Sequence, residues 1–201
     1  GIYCFTAKGI VLLTPQYKLI RILEFKNDDL TVNSVYKDVY GNILAGTNQG
    51  LLKITGNTYE QIAPEILTGT ITFIKKDTSK LLLGNTSGDL FELNILGKEN
   101  YQPQFLERVS LPNNETFSIR RMYLGKSGFV WLAGENDQGL IMYAKDYYTH
   151  INKANGFKGE NVQCMFQDKS GQLYIGTYIT GLYRTGRQHF YNYNNTKELN
   201  T

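Results

Sequence analysis

The chain has 201 residues, with 21 Lys and Arg against 18 Asp and Glu, for a formal net charge of +3. At 41% hydrophobic and 19% charged residues it has the composition of a folded chain, not a disordered one. So balanced a charge offers no basic surface for nucleic acid. No apolar run approaches the roughly 20 residues of a membrane-spanning helix, and two Cys with two His are too few for a metal cage or a disulfide scaffold.

Twenty Gly, 15 Tyr and 10 Phe against 4 Pro favour many strands joined by tight turns, an all-β protein. In chain order, a truncated copy of a repeat opens the sequence at Ile2. Full copies follow from Val35, Phe73, Met122 and Met165. Each reads as an apolar strand, a turn with Asp and Gly, a strand ending in Gly-Thr, a turn, and then Gly-Leu. The Thr slot holds Thr6, Thr47, Asn85, Gly134 and Thr177. The aromatic slot three places earlier holds Tyr3, Leu44, Leu82, Trp131 and Tyr174, where packing between sheets is expected. The next glycine is Gly9, Gly50, Gly88, Gly139 or Gly181.

A repeat of roughly 40 to 45 residues with four strand-sized pieces has the period of a β-propeller blade. The last copy predicts strands at Val162–Gln167, Gln172–Gly176, Gly181–Arg184 and His189–Tyr193. The expected architecture is a partial propeller of four-stranded antiparallel blades, about four and a half of them. An incomplete blade spans 1–33, and blades follow at 34–70, 71–118, 119–160 and 161–201. The chain begins inside one blade and stops where another should begin, so a piece of a longer ring is expected. A five-bladed closure is the alternative.

The strings DKSGQLYIGTYITGLYR and DVYGNILAGTNQGLLKI resemble the two-component regulator propeller repeat, and the tail HFYNYNNTKELNT resembles its outer strand and linker. Asp168, Gly171, Tyr174, Gly176, Thr177, Gly181 and Leu182 fit the pattern, as do Asp38, Gly41, Gly46, Thr47, Gly50 and Leu51. The copy at Phe73 departs around Lys80, and the copy at Met122 departs at Gly125 and Ala133-Gly134. The resemblance implies a seven-bladed propeller in the periplasmic half of a hybrid sensor histidine kinase of Bacteroidetes. It further implies an oligosaccharide ligand, signalling to transcription, and a homodimer through the parent receptor.

The residues themselves supply little chemistry. His150 and His189 fall in predicted fourth strands and read as surface residues. Cys4 and Cys164 read as small buried thiols, with no CxxC pair. Asp38, Asp77 and Asp168 recur at the first hairpin, where a carboxylate accepts bonds from its own turn amides. Arg120 and Arg121 alternate faces, which suits pairing between blades or exposure to solvent. Asn85-Thr86-Ser87, Asn114-Glu115-Thr116 and Asn194-Asn195-Thr196 match the glycosylation pattern, incidentally in a bacterial protein. No catalytic residue, metal site, cofactor or membrane contact is expected.

Binding falls to loops. Those that lead to the next first strand include Asn27-Asp28-Asp29, Asn113-Asn114-Glu115 and Lys158-Gly159-Glu160. Those joining second and third strands include Asn48-Gln49, Glu135-Asn136-Asp137-Gln138 and Tyr178-Ile179-Thr180. The Glu135 loop is the longer one, and an insertion on a fixed face marks a binding surface. Glu135, Asn136, Asp137 and Gln138 would supply polar groups and Tyr178 an aromatic plate. A lyase-type propeller enzyme and a protein-interaction scaffold are the alternatives. The first lacks a His or metal constellation and the second the Gly-His and Trp-Asp dipeptides.

Overall fold

The computed structural model describes residues 2–6, 8–26, 29–125, 128–144, 147–185 and 190–193. It is an array of antiparallel sheets in which each strand pairs with its neighbours in sequence. The first sheet has three strands, β1 (Ile2–Thr6), β2 (Gly9–Leu13) and β3 (Leu19–Glu24). Four sheets of four strands follow. They are β4 (Val32–Lys37), β5 (Ile43–Thr47), β6 (Gly50–Thr55) and β7 (Thr58–Gln61); then β8 (Ile71–Asp77), β9 (Lys80–Asn85), β10 (Asp89–Gly97) and β11 (Asn100–Arg108). The others are β12 (Arg121–Leu124), β13 (Val130–Ala133), β14 (Leu140–Ala144) and β15 (Tyr147–Ile151); then β16 (Val162–Gln167), β17 (Leu173–Thr177), β18 (Leu182–Thr185) and β19 (Phe190–Tyr193). This four-stranded meander is the blade of a β-propeller. Helix is limited to one 3₁₀ turn, Lys153–Asn155, among the described residues.

Two compact units divide the chain, Gly1–Glu107 and Arg108–Thr201. In the first, Leu44 and Leu51 of one sheet pack with Ile71, Ile74, Leu83 and Phe91 of the next. Ile10 and Leu23 pack likewise with Ala45, Leu52 and Ile54. In the second unit Ala133 and Leu140 pack with Leu173, Ile175 and Tyr183, and Trp131 of the aromatic slot is partly buried there. Tyr3, in the same slot of β1, is 43% exposed.

Three first strands carry a bulge at one place, between Val32 and Ser34, Ile71 and Phe73, and Val162 and Cys164. A bulge turns side chains out of the ladder. Here they reach the adjacent sheet: Asn33 Nδ2 donates to the Ile71 carbonyl (3.1 Å) and the Ile74 amide donates to Ser34 Oγ (3.0 Å).

The repeated Thr has a local task. Thr47 Oγ1 donates to the Gly50 carbonyl at 2.8 Å and accepts from the Gln49 amide at 3.1 Å. Thr6 does the same with Gly9 and Lys8, and Thr177 with Gly181 and Thr180. Asn85 substitutes through Oδ1, which accepts from the amides of Ser87 and Asp89. The first-hairpin carboxylates act as expected at two sites. Asp38 Oδ1 accepts from the Tyr40 and Asn42 amides, and Asp168 Oδ1 from those of Ser170 and Gln172. The Ser170 hydroxyl above all holds the Asp168 carboxyl below its usual range. Asp77 instead ends β8 opposite Lys80, with Thr78 at φ +45°.

The cysteines correct the sequence reading. Cys4 is half-buried and Cys164 exposed. Cys164 lies opposite Gly176, on the sheet face turned away from Ile175 and the core.

Gly50 has φ +98°, and a Cβ there would stand 2.7 Å from the Leu67 carbonyl oxygen; Gly56 has φ +60° with open space around it. Gly56→Ala is expected to cost about 1–2 kcal/mol from conformation alone. Gly50→Ala should cost at least ~1 kcal/mol more, because backbone must move as well. Urea midpoints with unchanged slopes measure both; equal losses would contradict the close approach.

Candidate functional site

The five loop residues singled out above lie in the second unit. Gly134 opens the loop of Glu135, Asn136, Asp137 and Gln138, and a Cβ on it would stand 2.6 Å from the Gln138 Cβ and 2.7 Å from the Phe117 ring, so a Thr in this slot would force both to shift. Gln138 takes over the clasp. Its Oε1 accepts from the amides of Glu135 (3.1 Å) and Ser118 (2.9 Å), and its Nε2 donates to the Thr116 carbonyl (2.9 Å). Its carbonyl accepts from His150 Nε2 at 2.7 Å. The extra length of this loop thus has a structural cause, and Gln138 is a staple.

Glu135 forms an ion pair with Arg120. Asp137 lies 3.7 Å from Lys153 Nζ, which also meets Glu160 at 3.2 Å. Glu160, and more weakly Asp137, raise the Lys153 ammonium above its ordinary pKa.

Asn161 joins the two halves of the candidate site. Its amide donates to the Asn136 carbonyl (3.0 Å), and its carbonyl accepts from the Tyr178 amide (3.1 Å). Asn136 and Asn161 both have left-handed backbones, at φ +50° and +52°, which Asn tolerates better than most residues. The structure therefore brings the Asn136 and Tyr178 loops together. Asn136 and Asp137 are exposed, and Tyr178 is 77% exposed.

Sequence reasoning missed Asn161, Lys153 and the capping box of Asn152 with Asn155. A partial signal existed for Asn161. Thr31 and Thr70 precede first strands in the same way, and their carbonyls accept from the amides of Asn48 and Thr86. The Asn48 side chain also staples the segment before β4, accepting from the Thr31 amide and donating to the Asp29 carbonyl. His150 is half-buried, with Nδ1 3.4 Å from Asn152 Nδ2. Arg121 Nε donates to the Gln163 carbonyl on the adjacent sheet. His189, Asn27, Asp28 and the Asn194-Asn195-Thr196 triplet lie outside the described residues.

The first unit holds a second polar centre, a cleft of about 280 Å³ lined by Lys53, Thr55, Thr58, Tyr59, Glu60 and Glu99. Lys53 is buried and pairs with Glu60 (2.6 Å) and with Glu99. Burial pulls the ammonium pKa down, but the two carboxylates outweigh it and the net direction is up. Beside it Tyr101 donates to Asp38 Oδ2 (2.5 Å), while Asn42 Nδ2 reaches Tyr101, Asp38 and the Lys98 carbonyl. Burial first, then the Asp38 carboxylate, pushes the Tyr101 phenol well above its ordinary 10.0. Among the described residues no three His, Cys, Asp or Glu side chains gather as metal ligands.

A raised folded-state pKa stabilises the fold fully below the unfolded value and loses that contribution as pH climbs through the folded one. For Tyr101 the loss therefore begins above pH 10.0. Tyr101→Phe should cost about 1–3 kcal/mol at neutral pH, where Asp38 and Asn42 lose a partner. The deficit relative to wild type should shrink at strongly alkaline pH. Thermal midpoints across that range test this; a constant deficit would contradict it.

Residues 156–179 match the family model described as the two component regulator propeller. Among solved structures, the chain is similar to the extracellular domain of a protein described as a hybrid two component system from B. thetaiotaomicron. The TM-score is 0.73 at 19% identity, over 95% of this chain and 27% of that one. It is similar to virginiamycin B lyase from Staphylococcus aureus, with TM-score 0.70 at 11% identity, over 94% of this chain and 64% of that one. It is also similar to PorZ, a surface component of the type-IX secretion system of Porphyromonas gingivalis, with TM-score 0.60 at 13% identity, over 90% of this chain and 30% of that one. This chain therefore spans between about a quarter and two thirds of these proteins. No curated protein sequence matches it. At such identities the three likenesses establish the fold, a partial β-propeller, and segment 156–179 is similar to the two component regulator propeller repeat.

Proposed function

We propose that this chain is part of the extracytoplasmic sensing region of a hybrid two-component receptor, and that the loop surface around Asn161 takes an oligosaccharide. The observation that carries the reading is a coincidence of place. The matched repeat, 156–179, contains Asn161 and Tyr178 and so includes one side of the paired loops. The likeness to an extracellular domain of a hybrid two component system supports the same role.

The chemistry suits a neutral, hydroxyl-rich ligand. Tyr178 offers an exposed ring with an apolar face and a polar tip. Asn136 offers an amide that both donates and accepts, and Asp137 a carboxylate. The nearby cations Arg120 and Lys153 already face carboxylates, so an anionic ligand would have to displace them. Pairing of two receptor copies through the parent protein would pass binding on to paired kinases, in the periplasm-to-cytoplasm direction.

Isothermal titration of the chain against a panel of neutral and acidic glycans tests the proposal. A neutral glycan should bind, and Tyr178→Ala should weaken it at least tenfold, ~1.4 kcal/mol. Heat from none of the panel would overturn the assignment. The likeness to virginiamycin B lyase favours a second reading, an enzyme. It needs a free base, whereas His150 has Nε2 on the Gln138 carbonyl and Nδ1 beside the Asn152 amide. A mass change in a bound compound would favour it.

A further inference from the structure

The repeat does not require a charge at Lys53. This residue stands opposite Leu44, and opposite the same slot stand Leu12 in β2 and Met142 in β14. Lys53 is nonetheless 5% exposed, held by carboxylates from two different sheets. Glu60 comes from β7, and Glu99 from the turn between β10 and β11. An apolar side chain of similar volume would serve the fold at least as well, because desolvating an ammonium offsets much of its attraction to its partners. A buried ion cluster that the fold does not need, at the floor of a cleft, points to a ligand.

The lining says which ligand. Lys53 takes Glu60 Oε1 and Glu99 Oε2, and both carboxylate side chains are 65% exposed. An ionised carboxylate has lone pairs for several donors, so each can accept again from the cleft. The two hydroxyls have already committed their hydrogens. Thr55 donates to Asn42 Oδ1 at 2.9 Å, and Thr58 donates to the Thr55 carbonyl at 3.0 Å. Asn42 is fixed behind them by Asp38, Tyr101 and the Lys98 carbonyl. Both Thr oxygens are therefore left as acceptors. Two carboxylates against one ammonium leave the lining side chains with one negative charge in excess. The cleft asks for a cation rich in hydrogen-bond donors.

We propose that this cleft binds a small hydroxylated primary amine in its ammonium form, with the ammonium on Glu60 and Glu99 and the hydroxyls on Thr55 and Thr58. A volume of about 280 Å³ lies at the low end for small-molecule sites, which suits one sugar-sized ring and not a chain. A neutral polyol lacks the charge. A quaternary ammonium lacks the N–H donors that carboxylates bind most strongly. An anion would have to displace Glu60 or Glu99 from Lys53. The cleft belongs to the first unit, and the Asn161 surface to the second, so the two sites stand apart in the chain.

Calorimetric titration of the 201-residue chain with glucosamine, glucose and choline tests this, in an amine-free buffer near pH ~6, where an amine is protonated. Glucosamine should bind saturably and at least about tenfold more tightly than either of the others. Glu60→Gln and Glu99→Gln should each weaken it about tenfold with the thermal midpoint kept, since both side chains are exposed. Lys53→Met, which copies Met142, should also keep the midpoint. Tyr178→Ala should leave glucosamine binding unchanged, and Glu99→Gln should leave neutral-glycan binding at the Asn161 surface unchanged, so the two sites fail separately. No saturable glucosamine heat would overturn the proposal. So would equal affinity for glucose, which has hydroxyls alone, or for choline, whose ammonium has no N–H. Loss of glucosamine binding in Tyr178→Ala would assign it to the Asn161 surface and overturn the cleft. A large fall in the Lys53→Met midpoint would show that the ion cluster serves the fold, and would overturn the proposal as well.

Discussion

A four-stranded sheet can bury one face on a neighbour, but it has two apolar faces, and that constraint governs this molecule. Leu44 is fully buried only because Ile71, Ile74 and Leu83 of the following sheet close over it. Ile10 and Leu23 depend on Ala45, Leu52 and Ile54 in the same way. Burial of this kind contributes about 25 cal/mol per Å² of apolar surface, and it falls away if either sheet is lost. Stability in such an array is shared between neighbours instead of belonging to single sheets.

Polar groups then fix what the apolar contacts leave loose. The hairpin between second and third strands is closed by a Thr hydroxyl in three sheets, by the Asn85 amide oxygen in a fourth, and by Gln138 where Gly134 removes the side chain. The acceptor is conserved in function while its carrier changes residue type and position. That tolerance explains how a blade can lose its Gly-Thr mark and keep its shape. It also separates the loop residues into two kinds: Gln138 and Asn48 hold backbone, whereas Asp137 and Tyr178 face solvent.

The period and strand positions were legible because they rest on local signals, alternation and turn glycines. The predicted Val162–Gln167 matches β16, the next two strands are shifted by one residue at both ends, and β19 lies within the predicted fourth strand. Burial of the cysteines was not legible, because it depends on which face a neighbour covers, as Cys164 shows. For the candidate site, the sequence placed Asn136 and Tyr178 in loops of the same class. It could not reveal that Asn161 links them, since that link joins backbone atoms of two sheets. Nor could it reveal that Glu135 and Lys153 are engaged in ion pairs.

Native-state hydrogen exchange on a Leu44→Ala variant tests the shared-stability claim most directly. The substitution should cost about 2–5 kcal/mol. The account predicts that amides of β9, on the neighbouring sheet, lose protection together with those of β5 on the sheet that carries the substitution. Loss confined to β4–β7, with β9 unchanged, would mean that the sheets stand independently and would contradict it.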